Sequence, residues 1–331
     1  MRTSSDTRMI NDNTELIIFD SDAGIDDAWA LLMLLKAEQV RNIKVIAITL
    51  VHGNTTVDYA ADNCLRILNS VNRTDVPIYK GARESLLPKC PHISTWFGVD
   101  GFGDMDYDDE PERFRIQSEH AVSAMYRLVN EHPGKITFVC VGPLTNVALA
   151  IKMYHDFADK VKSLYIMGGN CSATGNSSSC AEFNFYCDPE SAFILLKSLQ
   201  CPIYMLPWET CMEDKIDIPL EWRIEELGKT QNKMMELLNE AEIKVFRRNK
   251  CVKWNPCDAF VTAVLLKPNE IILKSKNCHA TVELSGSLTR GQVVIDHLNR
   301  NQNNITIVEQ VDVEKCKQLF LWTAGCDNIE F

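Results

Sequence analysis

Four carboxylates crowd into eight residues near the start of the chain: Asp20, Asp22, Asp26 and Asp27, in the run DSDAGIDDA. Two bare carboxylates about 4 Å apart repel by roughly 4 kcal/mol at an effective dielectric of 20, so a fold that gathers several of them ordinarily supplies a cation. With no histidine or cysteine alongside, the all-oxygen set suits a hard ion, Ca²⁺ or Mg²⁺, better than zinc. Part of the cluster has a simpler explanation. Asp is a preferred residue at helix N-termini, where Asp26 and Asp27 would be favourable for capping and dipole reasons alone. Asp20 and Asp22, at the end of a hydrophobic strand, tip the balance toward a metal. Gly24 lets the chain turn sharply between the two elements.

The elements that must position this cluster are legible as β-branched runs alternating with helical patterns. Leu16–Asp20, Ile43–Leu50, Ile136–Val141, Leu164–Met167 and Pro202–Leu206 read as strands, with helices over Ala28–Val40 and Val57–Ser70. Trp222–Lys250 reads as one long charged helix. Ala280–Leu284, Gln292–Asp296 and Ile305–Gln310 look like strands with hairpin-type joins, and Asp312–Thr323 is a closing helix. The pattern predicts an α/β fold, a single Rossmann-like domain over residues 15–331 whose mainly parallel sheet is covered on both faces, after a polar extension over residues 1–14. Ligands in such sheets bind beyond the carboxyl ends of the strands. The polar segments Asp20–Asp27, His52–Asn54, Val141–Asn146, Gly168–Asn184 and Asn255–Asp258 mostly follow strands and could converge there.

The whole chain narrows the field. It has 331 residues and a formal net charge of −11, which disfavours nucleic acid or anionic membrane as partner. Thirteen cysteines show no CxxC pairing, and the polar N-terminus lacks the apolar core of a secretory signal. Free thiols in a reducing, cytoplasmic compartment are expected.

Asp20–Leu31, DSDAGIDDAWAL, resembles the DxDxGxDDAxAL signature of the inosine/uridine-type nucleoside hydrolases. Further segments recur in family order: HGN at His52–Asn54, DGFGD at Asp100–Asp104, GPLTN at Gly142–Asn146, and MGGN, GN, AEFN and DPE between Met167 and Glu190. CDA at Cys257–Ala259 and TRGQVVID at Thr289–Asp296 complete the set, which runs from about residue 15 to residue 300. The resemblance implies a mixed, mostly parallel sheet and Ca²⁺-dependent hydrolysis of ribonucleosides to ribose and free base. It places the metal on Asp22, Asp27, Asp258 and the Val141 carbonyl, with Asp20 in support. Asp22 would also be the general base that activates a Ca-bound water. Ribose would be held by Asp26, Asn54, Asn176, Glu182 and Asn184, with Met167 nearby, and the enzyme would be a homodimer or homotetramer. Taken singly, Asn176, Glu182 and Asn184 are ordinary turn, surface and loop residues. Their joint spacing, GN-x5-E-x-N, is what lifts them.

The leaving-group half departs from the family pattern. Many members carry a histidine before the last metal aspartate; here the residue is Cys257. A His/Gly pair before the DGFGD-like segment is replaced by Phe97–Gly98, preceded by Trp96. Either the Cys257 thiol acts as the acid, or it is a small buried hydrophobe and stacking on Trp96, Phe97 or Trp254 helps the base depart. His52, His279 and His297 read as structural. Two rivals differ in kind. A haloacid-dehalogenase-type Mg²⁺ phosphatase shares a DxD after its first strand but leaves Asp26–Asp27, GPLTN and AEFN without a role. A nucleoside-binding protein with little turnover would not need Asp22, Asp27 and Asp258. Base preference stays open among purine, pyrimidine and nicotinamide ribosides.

Overall fold

The computed structural model describes residues 13–87, 94–107, 110–212 and 214–326. The polar extension expected over 1–14 falls almost entirely outside them. The N-terminal half comprises β1 (Glu15–Ser21), α1 (Ile25–Ala37), β2 (Ile43–Leu50), α2 (Val57–Ser70), β3 (Ile78–Lys80), β4 (Ile116–Gln117), α3 (Ala121–Glu131), β5 (Ile136–Cys140), α4 (Thr145–Met153) and β6 (Val161–Met167). There follow α5 (Phe183–Cys187), α6 (Pro189–Ser198), β7 (Ile203–Leu206), α7 (Trp208–Cys211), α8 (Leu220–Glu225), α9 (Lys233–Asn249) and α10 (Cys257–Leu266). The chain closes with α11 (Pro268–Ile271), β8 (Ile272–Cys278), β9 (Ala280–Val282), β10 (Val293–Ile295), β11 (Ile305–Val311) and α12 (Val313–Ala324).

One sheet of nine strands organises the molecule, in the order β4-β3-β2-β1-β5-β6-β7-β11-β8. Every pairing is parallel except β11 with β8. β1 is apolar on both faces, as a covered parallel strand must be. Ile17 and Phe19 join one core with α1, α2, α9, α10 and α12, while Leu16 and Ile18 join the other with α3, α4 and α6. The chain leaves β1 toward β2, β3 and β4, then returns to lay β5 on the opposite flank of β1. That reversal opens a crevice beyond the carboxyl ends of β1 and β5, where ligands bind in such sheets. The register sets Asp20 beside Thr49 on one side and Cys140 on the other.

Two expectations need correction. The helix expected over Trp222–Lys250 is broken into α8 and α9. Gly228 lies in the intervening turn, and the Asn232 side chain caps α9 by accepting from Met235 N at 2.9 Å. Glycine and a capping asparagine outweigh the helical composition around them. The C-terminal strands are also joined differently. β9 and β10 do pair antiparallel, but β11 enters the central sheet between β7 and β8. Among the described residues, no helix is long and apolar enough to cross a membrane.

Candidate active site

Two helices aim their N-termini into the crevice. α1 starts at Ile25 and carries Asp26 and Asp27 in its first turn; α10 starts at Cys257 and carries Asp258 in its first turn. Both helices are apolar nearly all round, so they pack against each other inside one core and their termini are held rigidly. The partial positive charge of each terminus favours the carboxylates there. One oxygen from each of Asp26, Asp27 and Asp258 lies within 4.8 Å of the others. Asp258 is pushed well above the ordinary range, first by burial and then by Asp26, Asp27 and Asp22. Burial, then Asp27, pushes Asp26 to about 8, and its Oδ1 is buried without a hydrogen-bond partner. Mutually repelling buried carboxylates with an unpartnered oxygen fit a hard divalent cation.

The turn between β1 and α1 is built around Asp22 and Asp27. Asp27 accepts from Ser21 Oγ (2.5 Å), Gly24 N (2.9 Å) and Ala23 N (3.2 Å). Ala23 itself sits at φ +51°, a left-handed conformation unusual for a residue with a Cβ, and its carbonyl is held by Asn63 Nδ2 at 3.1 Å. Asp22 accepts from Asn54 N at 2.6 Å and Asn54 Nδ2 at 3.2 Å. A Cβ on Gly53 would lie 2.0 Å from Asp22 Oδ2, so this close approach excludes any side chain there. Behind them Asp20 is fully buried, accepting from Thr49 Oγ1 (2.6 Å) and Asn146 Nδ2 (2.9 Å) while its Oδ2 has no partner.

A cavity of about 850 Å³ opens over this cluster. Every site residue expected from the sequence lines it except Asp22 and Asp27, which are 0% and 1% exposed. On the sugar side, Asn184 Nδ2 donates to the carbonyls of Val141 and Met167, both at 3.1 Å, leaving its own oxygen to face a ligand. Glu182 is not the surface charge its sequence context allowed. Only 2% exposed, it caps α5: Oε1 accepts from Asn184 N (2.8 Å), and Oε2 from Gly169 N (2.7 Å) and Phe185 N (3.1 Å). Burial outweighs these bonds and pushes it up to about 7. Asn176 is exposed on the loop before α5.

On the opposite side, Trp96 is 53% exposed and Phe97 half-buried, whereas Trp254 is 2% exposed. The Trp254 ring meets Trp29 and Phe320 edge-on at 5.3 and 4.9 Å between centroids, and its Nε1 donates to Glu242 at 2.8 Å. Trp29 Nε1 reaches the same carboxylate oxygen at 3.1 Å, and the buried Arg223 is ion-paired to the other oxygen, Oε2. Sequence reading missed Glu242. Its signal was a carboxylate in register with the apolar stripe Met235, Leu238 and Val245 of α9. It also missed Trp208, which lines the cavity from α7. The end of α9 holds the Trp96 segment, through Asn249 Nδ2 to Trp96 O (2.9 Å) and Arg248 to Asp104 (2.7 Å). The Cys257 thiol is pushed well above its ordinary value by its hydrogen bond with Cys211 and by burial, so it stays protonated at neutral pH. His52 packs away from the cavity, its Nε2 3.1 Å from Thr145 Oγ1, and burial pushes it down to about 4.

A crevice of this construction has counterparts. Residues 17–318 match the family model described as inosine-uridine preferring nucleoside hydrolase. The chain is 32% identical to the pyrimidine-specific ribonucleoside hydrolase RihA of Photobacterium profundum over 90% of this chain and 94% of that protein. A probable uridine nucleosidase 2 of Oryza sativa subsp. japonica is 36% identical, although that match spans only 54% of the rice protein. Among solved structures, an inosine-guanosine nucleoside hydrolase superposes with a TM-score of 0.85 at 28% identity, covering 93% of this chain and 98% of the other. The chain therefore belongs to the inosine-uridine preferring nucleoside hydrolase family and is an N-ribosyl hydrolase, acting on ribonucleosides to give ribose and free base.

Proposed function

We propose that the chain holds Ca²⁺ through Asp22, Asp27, Asp258 and the Val141 carbonyl, and hydrolyses the bond between ribose C1′ and a nucleobase in the cavity above them. The observation that carries this reading is the convergence of two of these ligands, Asp27 and Asp258, with Asp26 within 4.8 Å at two helix N-termini, Asp22 being close enough to act on both Asp27 and Asp258. Bound there, the ion would offset the carboxylate repulsion and make a neighbouring water easier to deprotonate. Asp22 takes the proton from the attacking water. Burial raises its basicity, and the two bonds from Asn54 fix its orientation. As the bond to the base lengthens, C1′ gains positive charge, and the buried carboxylates stabilise it more than they stabilise the neutral ground state. Asp26, Asn54, Asn176 and Asn184 hold the ribose hydroxyls. Glu182 joins them: its three backbone acceptances fix its orientation and that of Asn184 N, and leave one acceptor site of its carboxylate for a hydroxyl. A substrate lacking a ribose hydroxyl leaves these buried groups unpaired and should react poorly.

The departing base needs a proton or a stabilised negative charge. Cys257 stays protonated and lines the cavity, with Trp96, Phe97 and Trp254 around the space for the base. Its raised pKa makes it a weaker general acid than a group matched to neutral pH. The reading places the chain as a homodimer or homotetramer in the cytoplasm, consistent with its free-thiol composition. Ribose release from inosine and uridine, followed with and without chelator, tests the proposal. Activity should vanish on chelation and return with Ca²⁺. Undiminished turnover in excess chelator would refute the metal assignment.

A further inference from the structure

A second cavity, of about 480 Å³, shares no lining residue with the nucleoside cavity yet is built from the neighbours of its walls. Cys171 and Ser172 precede Thr174–Asn176, Glu209 follows Trp208, and Lys215 follows Asp214, the second member of each comparison facing the nucleoside. Its volume falls in the range of small-molecule sites. Glu209 is only 9% exposed; Oε1 accepts from Ser172 N (2.5 Å) and Ser172 Oγ (2.7 Å), while Oε2 is buried with no hydrogen-bond partner. A buried carboxylate oxygen left bare is costly unless something donates to it.

Basic side chains outnumber the two carboxylates of the lining, Glu209 and Glu309. Lys215, Lys274, Lys276 and His297 contribute cationic or donor groups. Lys274 is engaged by Glu309 at 2.8 Å, but among the described residues Lys215 and Lys276 form no ion pair. Two uncommitted ammonium groups in a chain of net charge −11 are a local exception to its electrostatics. Pro207, Ile295 and Ile307 supply an apolar wall. The matching ligand is a small molecule with a dianionic group for the two lysines, a hydroxyl donor for Glu209 Oε2 and a compact apolar face.

We propose that this second cavity binds a ribose phosphomonoester, either the sugar phosphate alone or a nucleoside monophosphate, with the phosphate on Lys215 and Lys276 and a sugar hydroxyl donating to Glu209. A carboxylate ligand matches the paired lysines less well, since it brings one negative charge where two positive ones stand. A metal ion is disfavoured by the same lysines. The carboxylate that receives the ligand also anchors Ser172, and the loop that begins there carries Asn176 into the nucleoside cavity.

The test is calorimetric titration of the full chain with ribose 5-phosphate, uridine monophosphate and plain ribose, all in chelator so that no cation retains a sugar in the nucleoside cavity. The phosphates should bind saturably at one site per chain, and ribose should not. The double variant Lys215→Ala/Lys276→Ala should bind them at least roughly tenfold more weakly, the scale of one lost charge-assisted hydrogen bond. Its ribonucleoside turnover without phosphates should be unchanged. Glu209→Gln should weaken binding as well, and the lysine variants keep the test open if that replacement misfolds. Binding of ribose 5-phosphate alone assigns the site to sugar phosphates, and binding of both extends it to nucleotides. No saturable heat with either phosphate, equal affinity in the double variant, or equal binding of plain ribose would overturn the proposal. None of these outcomes depends on whether ribonucleosides are turned over.

Discussion

Replacing Asp20 with asparagine isolates the cost of a buried carboxylate from its contacts. Oδ1 accepts from Thr49 and Asn146, Oδ2 has no partner, and burial pushes the group up to about 7 from the ordinary 3.8. Between those values the folded chain retains a proton that the unfolded chain has released. The stabilisation is therefore complete below the unfolded value and is lost as pH rises through the folded one. Three pH units at about 1.4 kcal/mol each give a loss of about 4 kcal/mol by pH 8. Asparagine does not titrate. Its oxygen can keep both acceptances, and its nitrogen takes the place of the unpartnered Oδ2 at a pH-independent penalty of about 1–3 kcal/mol. The stability of Asp20→Asn minus that of the parent should thus climb by about 4 kcal/mol between about pH 4 and pH 8, whatever its starting value. Urea denaturation in chelator across that range measures the difference directly. A gap that stays constant with pH would refute the reasoning. Added Ca²⁺ should flatten the slope, because a nearby cation favours the ionised carboxylates.

Asp22→Asn should lower ribose release by about 10²–10⁴-fold, the range for a lost general base, with an unchanged far-ultraviolet spectrum; near-parental turnover would remove Asp22 from that role. Cys257→Ala separates the two proton sources for the leaving base. A fall of about 10²-fold identifies the thiol, and unchanged kcat identifies solvent. Trp254→Phe removes the Nε1 bond to Glu242 and should destabilise the fold by about 1–3 kcal/mol, measured by denaturant titration. Trp96→Ala, at a half-exposed ring, should shift stability by less than about 0.5 kcal/mol and act instead on KM.

How legible the molecule was in its sequence depended on burial. β2 and α2 have the bounds their patterns predicted, since an apolar parallel strand and an amphipathic helix leave strong periodic signals. β8 was invisible because it is an edge strand. ILKSKNC is mostly exposed and polar, and only the antiparallel pairing with β11 makes it a strand. The carboxylates and amides that line or underlie the cavity could be picked out in advance because they sit in short contiguous segments, most of them just after strands. Glu242 could not, since its meaning lies in two indoles and a guanidinium brought from Trp29, Trp254 and Arg223. Trp254 was legible as an aromatic near the site, but not as a residue buried to 2% exposure in an aromatic cluster.

The meeting of the α1 and α10 termini joins the first strand–helix unit to a segment more than two hundred residues later, Asp27 to Asp258. A cation held between them would act as a reversible cross-link closing most of the chain into a loop. Only the assembled fold presents both halves, so the ion's binding energy adds to global stability by mass action. Calcium should therefore slow proteolysis of sites far from the crevice, and a chain cut before α10 should keep its N-terminal carboxylates yet gain no such protection. The site would then be a clasp on the whole polypeptide, with lifetime in the cell tied to the availability of the ion.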